Sequence, residues 1–343
     1  MFEKFLFRFV AMLVVVALLA TTAQAVTVPV GDAGNVGEWS GASYGGWGPD
    51  AIVGAVDYAY NIGKYEVTNG QYIEFLNGVA TVGDPNGLYN TNMAGTYGGI
   101  GRTGSGTAGT PWVYSAKGDD TNWLDRPVNY VSFYDTLRFA NWLHNGQLGG
   151  AQVPSTTEDG AYDMSLGSSV VRKPGARVFL PSEDEWYKAA YYKGGGDNAG
   201  YWDYPTGSDT VPSNVLSNPN PDPGNNANFY AGGYTVGSPY YTTLVGEFEN
   251  SDSAYGTFDQ GGNLWEWNEE DIFGAGSSRG LRGGDGWGYG VSTDLHASSR
   301  GNGDPSNESA YIGFRVASVP EPGSITLLVC GLVAGLVWWR RRK

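Results

Sequence analysis

The chain has 343 residues and carries 20 Lys and Arg against 35 Asp and Glu, a formal net charge of −15. A chain this acidic is repelled by DNA, RNA and anionic lipid, which argues against nucleic-acid binding. The single cysteine, Cys330, lies in a hydrophobic C-terminal segment. Disulfides, thiolate metal sites and cysteine catalysis are therefore not expected in the folded body.

The first 25 residues have the pattern of a secretory signal peptide. Lys4 and Arg8 precede an apolar run at residues 10–20, and small residues at positions 23–25 suit a cleavage site. The alternative is an N-terminal membrane anchor, but the run is shorter than the ~20 residues that a span needs. We predict export of a domain at residues 26–318. The mature body expected after processing, residues 26–322, lacks six of the basic residues and Glu3, which leaves 14 basic and 34 acidic residues, a net charge of −20.

Three helices are predicted in this domain from capping residues followed by apolar side chains at helical spacing. Their N-caps are Thr68, Ser132 and Ser182, and each is followed three residues later by Gln, Asp or Glu. The strand signals are short and lie at residues 60–62, 65–67, 178–180 and 312–316.

Residues 192–256 show no regular pattern and are predicted to be mostly loop. A coil of that length in a compact domain needs a tether, and bound Ca²⁺ is a candidate. The elements together predict an α+β domain that is rich in coil.

The C-terminal segment, residues 319–343, contains a short motif, an apolar run at residues 325–339 and a closing basic cluster. The basic cluster is expected to stay cytoplasmic while the run halts in the membrane. This order resembles the PEP-CTERM sorting signal of Gram-negative bacteria. The resemblance implies that an exosortase cuts at Pro320, Glu321 and Pro322 after the secretion machinery exports the chain. The protein would then be released or retained at the cell envelope. The alternative is a plain C-terminal membrane anchor.

Six motifs in the body resemble, in order, those of the formylglycine-generating enzyme (sulfatase-modifying factor) family. They are Tyr60-Asn61-Ile62-Gly63-Lys64-Tyr65-Glu66-Val67-Thr68-Asn69, Arg126-Pro127-Val128-Asn129-Tyr130-Val131-Ser132, Arg177-Val178-Phe179-Leu180-Pro181-Ser182-Glu183-Asp184-Glu185-Trp186, Gly262-Asn263-Leu264-Trp265-Glu266-Trp267, Leu281-Arg282-Gly283-Gly284 and Gly313-Phe314-Arg315-Val316. The resemblance implies an irregular C-type-lectin-like fold with few regular elements and bound Ca²⁺.

The resemblance also locates the chemistry of the family. Its members oxidise a sulfatase cysteine with O₂ at a Cu(I) ion held by two cysteines. A gapless count back from Gly313 places those positions on Ser292 and Ala297. Cu(I) selects soft thiolates, and neither a hydroxyl nor a methyl group can replace them. Copper-dependent oxidation is therefore expected to be lost.

Candidate calcium ligands, unlike the copper ligands, are present in the sequence. The resemblance implies one site at the carboxylates of Asp259 and Glu266 and the carbonyls of Gly262 and Leu264, hard oxygen donors that suit Ca²⁺. The alternative is that Glu266 is a surface charge beside two core tryptophans. For a second calcium site, Asn228 matches one ligand of the family, but the aspartate that the resemblance implies near residues 237–239 is missing.

The function predicted from these observations is that of an exported, non-catalytic module that binds a glycan or an extended peptide, or takes part in extracellular matrix. The alternative is a formylglycine-generating-type or altered oxidoreductase that acts on a peptide. Four aromatic residues could stack on sugar rings: Trp202, Tyr204, Trp287 and Tyr289. We predict instead that most of these aromatic side chains pack in the core.

Overall fold

The computed structural model describes residues 26–216, 222–287 and 291–320. The predicted signal peptide, the apolar tail with Glu321, Pro322 and Cys330, and Tyr289 lie outside these ranges. Pro320 is the last described residue and is exposed. Within the described ranges, no helix is long and apolar enough to cross a membrane.

Three α-helices occur in the described part of the chain, and they are the three predicted ones. They are α1 (Asn69–Val79), α2 (Phe133–His144) and α3 (Glu183–Tyr191). In each helix the N-cap side chain accepts a hydrogen bond from the backbone three residues on, and the side chain at that position bonds back to the cap. This reciprocal arrangement satisfies two backbone donors that the first helical turn leaves unpaired.

The described residues contain twelve short strands. They are β1 (Thr27–Val30), β2 (Glu38–Ser40), β3 (Ala51–Val53), β4 (Tyr60–Gly63), β5 (Ile100–Thr103), β6 (Val113–Ala116), β7 (Val178–Phe179), β8 (Trp265–Asp271), β9 (Arg279–Arg282), β10 (Gly301–Gly303), β11 (Ile312–Gly313) and β12 (Ala317–Ser318). Two four-stranded sheets have the orders β1-β4-β12-β7 and β10-β9-β8-β11, and β2-β3 and β5-β6 form separate pairs.

Two strand predictions need correction. Residues 65–67 form no strand, although Val67 exchanges single backbone hydrogen bonds with Phe314 and Val128. Within the segment 312–316 only β11 is a strand; residues 314–316 form none, and β12 begins after them at Ala317. The reason is that β11 pairs with β8 in one sheet while β12 pairs with β4 and β7 in the other. The chain crosses between the sheets at Phe314 and Arg315.

The long loop after α3 is confirmed, since the described residues between Tyr191 and Trp265 form neither helix nor strand. Part of its tether is a buried carboxylate. Asp222 accepts hydrogen bonds from the backbone N–H of Gly224 (2.8 Å) and Asn250 (3.1 Å) and from the Ser251 hydroxyl (2.6 Å). These bonds join two distant parts of the loop.

The main core lies between helices α1 and α2 and the first sheet. Phe139 on α2 packs edge-on against Phe75 on α1 and against Phe314, with ring centroids 5.3 Å apart in both pairs. Aromatic pairs in this geometry add to the stabilisation from burial. The core therefore anchors the segment that crosses between the two sheets.

Candidate functional site

The second sheet carries an open cleft of about 420 Å³ on one face. Its polar and aromatic lining comes from both ends of the chain: Trp47, Trp265, Asp285, Asp294, Asn302 and Tyr311. The volume is in the range of sites that bind small ligands.

Trp47 reaches the cleft because two glycines hold its loop against the backbone of residues 298–300. A side chain on Gly46 or Gly48 would place its Cβ 2.1 Å from the Ser298 carbonyl oxygen or 2.0 Å from that of Arg300. The Arg300 N–H also donates to the Trp47 carbonyl oxygen at 3.0 Å. The loop is thus fixed through its backbone, and the indole projects into the cleft.

The indole of Trp47 has two partners there. It stands edge-on to Trp265 with ring centroids 5.5 Å apart, and its Nε1 donates to Oδ1 of Asp294 at 3.2 Å. The other Asp294 oxygen accepts from the Val291 N–H at 3.2 Å. Burial raises the pKa of Asp294, although both hydrogen bonds oppose the shift. The cleft therefore holds a fixed, half-buried carboxyl group beside an exposed ring.

The two positions assigned to the missing cysteines differ in their surroundings. Ala297 is buried in a cluster with Trp186, Tyr187 and Tyr191. Ser292 is half-buried in a turn. Neither residue lines the cleft. The assignment by gapless counting stays a prediction, but residues 26–320 contain no cysteine at any position.

A histidine and a serine near the cleft do not form a hydrolytic site. Nδ1 of His296 lies 2.7 Å from Oγ of Ser298, but it also accepts the Ser298 backbone N–H at 3.1 Å. Ser298 is buried, and Asp203 lies 3.7 Å from Nε2, beyond hydrogen-bond distance. A serine nucleophile must be accessible to its substrate, so this pair serves local structure.

Glu66 and Glu266 are buried close together, the half-buried Asp259 lies beside them, and the Arg315 guanidinium faces all three. Glu266 is fully buried, so the alternative that it is a surface charge is wrong. Its two oxygens accept from Arg315 at 2.7 and 2.6 Å, and Oε2 also accepts from Trp186 at 2.7 Å. Burial raises the pKa of Asp259 to about 6 and that of Glu66 well above its usual value, and repulsion within the cluster adds to both shifts.

The predicted calcium ligands fit a cation only in part. Glu266 already has Arg315 and Trp186 as partners. Oε1 of Glu66 and Oδ1 of Asn228 are buried without a hydrogen-bond partner, and a cavity of about 10 Å³ borders Asp259. No group of three or more acidic, His or Cys side chains within the described ranges is arranged to hold a metal ion. Calcium at Asp259, Gly262, Leu264 and Glu266, or at Asn228, stays a prediction.

Chelation tests the calcium prediction. We expect a chelator to lower the melting temperature and excess Ca²⁺ to restore it, because an ion that binds only the folded state stabilises it by about 2.7 kcal/mol at a hundredfold excess over Kd. Asp259→Asn should remove most of this shift. Asp135→Asn, which alters a buried carboxyl group at the α2 N-cap, should leave it intact. A melting temperature that changes with neither chelator nor Ca²⁺ would exclude a structural calcium site.

The architecture is that of a coil-rich α+β domain in which loops build an open cleft over a short-stranded sheet. The model of the sulfatase-modifying factor enzyme 1-like domain family matches residues 19–319. The chain belongs to this family, and the predicted formylglycine-generating enzyme-like fold is confirmed.

Several solved structures are similar. Treponema denticola variable protein 1 shares 20% identity at a TM-score of 0.49, covering 86% of this chain and 95% of that one. PvdO from Pseudomonas aeruginosa shares 19% identity at a TM-score of 0.48, and the match covers 87% of this chain and 96% of PvdO. CarF shares 19% identity at a TM-score of 0.46, and the match covers 87% of this chain and 100% of CarF. No curated protein matches this sequence.

Two aromatic residues of the cleft, Trp47 and Tyr311, lie outside every motif recognised in the sequence. Of the four aromatic residues that could stack on sugar rings, Tyr204 and Trp287 are only 6% and 9% exposed, and Trp202 lies under the Lys193 ammonium group. Trp47 is 40% exposed. Its one local signal is the pair of glycines on either side.

Proposed function

We propose that the mature protein is a non-catalytic member of the family that binds a glycan or protein ligand in the cleft. The carrying observation is a family fold whose cleft offers rings, carboxyl groups and an amide, in a body without cysteine. Cu(I) oxidation in this family depends on thiolates, and Ser292 and Ala297 cannot supply them. The cleft can still bind a ligand.

The site of action follows from the two ends of the chain and remains part of the proposal. The N-terminal segment supports export, and the Pro320-Glu321-Pro322 motif with its apolar run supports sorting by an exosortase. The protein would then act at the cell envelope of a Gram-negative bacterium or in its extracellular matrix. The strong negative charge of the body supports the exclusion of nucleic acid as a partner.

Peptide oxidation tests the non-catalytic role. We expect the purified protein, supplied with Cu(I) and O₂, to leave the cysteine of a sulfatase-type peptide unchanged. Mass spectrometry would detect conversion of the thiol to an aldehyde, and a formylglycine-forming relative serves as positive control. Aldehyde formation above the protein-free rate would overturn the proposal and favour the alternative, an oxidoreductase acting on a peptide.

A further inference from the structure

We infer that the cleft binds polysaccharide whose sugar units carry no acidic group. This inference rests on the proposed binding function and specifies its ligand. It draws on three properties of the cleft: exposed aromatic rings, hydrogen-bond acceptors beside them, and the sign of the charge.

The aromatic rings come first. Trp47 and Tyr311 are each 40% exposed at the cleft, and Trp265 forms part of its lining. An aromatic face carries partial negative charge, which attracts the weakly positive C–H groups on the flat face of a sugar ring. Exposed rings that converge on a concave surface mark a ligand site more often than they mark chance exposure.

The polar groups match the rim of a sugar ring. Asp294 brings a half-buried carboxyl group to the cleft and Asn302 brings an exposed amide, whereas the Asp285 carboxyl group is buried and accepts the Trp287 backbone N–H. Sugar hydroxyls are donors that bond strongly to ionised carboxylates. Asp294 is already oriented by Trp47 and Val291, so ordering it costs little on binding.

The charge selects among sugars. Among the described residues that line the cleft there is no Lys, Arg or His. The neighbouring Arg300 points away, because its guanidinium is buried against Glu183 at 2.6 Å. With no cation in the described lining, the half-buried Asp294 carboxyl group repels uronic acids and sulfated sugars, whereas neutral or amine-bearing units meet no such repulsion.

The position of the cleft favours a saccharide over a peptide. An extended peptide gains much of its affinity by adding its main chain to the edge of a sheet. The cleft spans the β10-β9-β8-β11 sheet, with lining from the inner strands β8 and β9 as well as from the edge strand β10. Over the inner strands a ligand is bound through side chains, because β8 and β9 are already paired with neighbouring strands on both sides.

A glycan array with neutral, amine-bearing and acidic oligosaccharides tests the inference, with a peptide library run beside it. We expect binding to neutral or amine-bearing glycans and none to acidic ones. Trp47→Ala should weaken binding at least about tenfold, a loss of about 1.4 kcal/mol. Asp294→Asn should weaken it too. The control is Trp39→Ala, because Trp39 is 50% exposed but stacks on Tyr44 outside the cleft lining.

Each other outcome overturns the inference in a distinguishable way. Preference for acidic glycans, equal loss in the Trp39 control, or no glycan binding at all would overturn it. Binding of library peptides that Trp47→Ala abolishes would overturn the saccharide ligand and leave the proposed binding function standing. Oxidation of a peptide cysteine would overturn the proposed function itself. Thermal melts of all variants separate loss of binding from loss of folding, and Trp47→Phe, which keeps a ring, should retain part of the affinity.

Discussion

Replacing Arg315 with leucine is expected to lower the free energy of unfolding by about 3–5 kcal/mol, because it leaves buried charge without a partner. The Arg315 guanidinium donates to both oxygens of Glu266 and to the carbonyl oxygens of Gly63 and Phe258. Without it, the buried Glu66 and Glu266 and the half-buried Asp259 lose the cation that faces them. Urea unfolding at pH 7.5 measures the loss.

The pH dependence provides a second readout for Arg315→Leu. The folded variant should bind protons more readily than its unfolded chain, since its buried carboxyl groups no longer face a cation. Its loss of stability should therefore shrink as the pH falls from 7.5 towards 5. The control is Lys173→Leu, whose partner Asp159 is 44% exposed, where we expect at most about 1 kcal/mol. Equal losses of stability in the two variants would contradict a larger contribution from the buried Arg315–Glu266 pair than from the exposed one.

Replacing Glu183 with glutamine should cost a similar amount, about 3–5 kcal/mol, because two buried arginines share this carboxylate. Glu183 pairs with Arg282 at 2.7 Å and with Arg300 at 2.6 Å. Burial opposes its ionisation, but the two guanidinium groups outweigh burial and lower the pKa of Glu183. Its stabilising effect is therefore present at neutral pH and is lost as the pH falls through the folded-state pKa.

The effect of Glu183→Gln should extend to the cleft, unlike that of Arg315→Leu. Arg300 donates through its backbone to Trp47 and through its side chain to the Pro49 carbonyl oxygen at 3.2 Å. The matched control is Asp184→Asn on the same helical turn. Burial raises the pKa of Asp184 to about 6, so removing its charge at pH 7.5 should be neutral or stabilising. Chemical denaturation decides, and a destabilised Asp184→Asn with an unaffected Glu183→Gln would contradict this account.

The helices were predictable because each cap is local. Ser132 and Asp135 are three residues apart, and the bonds between them need no knowledge of the rest of the fold. The strand β8 was not predictable in this way. Glu266 and Asn268 are buried within it, so the alternation of polar and apolar residues is absent. Arg315, the charge partner of Glu266, lies 49 residues further along the chain.

The candidate site shows the same division between local and distant information. The family motifs locate Glu266, Arg315 and Trp265, since these residues belong to recognisable segments. The contact between Trp47 and Asp294 joins residues 247 positions apart. No periodicity or short motif reports such a pairing, and only the close approach of the Gly46 and Gly48 backbones to residues 298–300 brings it about.

Because this loop is held through its backbone, the residues that fix its position differ from the side chain that contacts the ligand. The loop is held by Gly46, Gly48 and main-chain hydrogen bonds, whereas the Trp47 side chain contributes little to the buried core. Residue 47 is thus a position where the identity of the side chain can change without disturbing the charged network beneath it. Single substitutions at residue 47 can change the side chain presented to the ligand while the sheet and the charged network stay unchanged. This loop is therefore a suitable place to engineer a new binding preference.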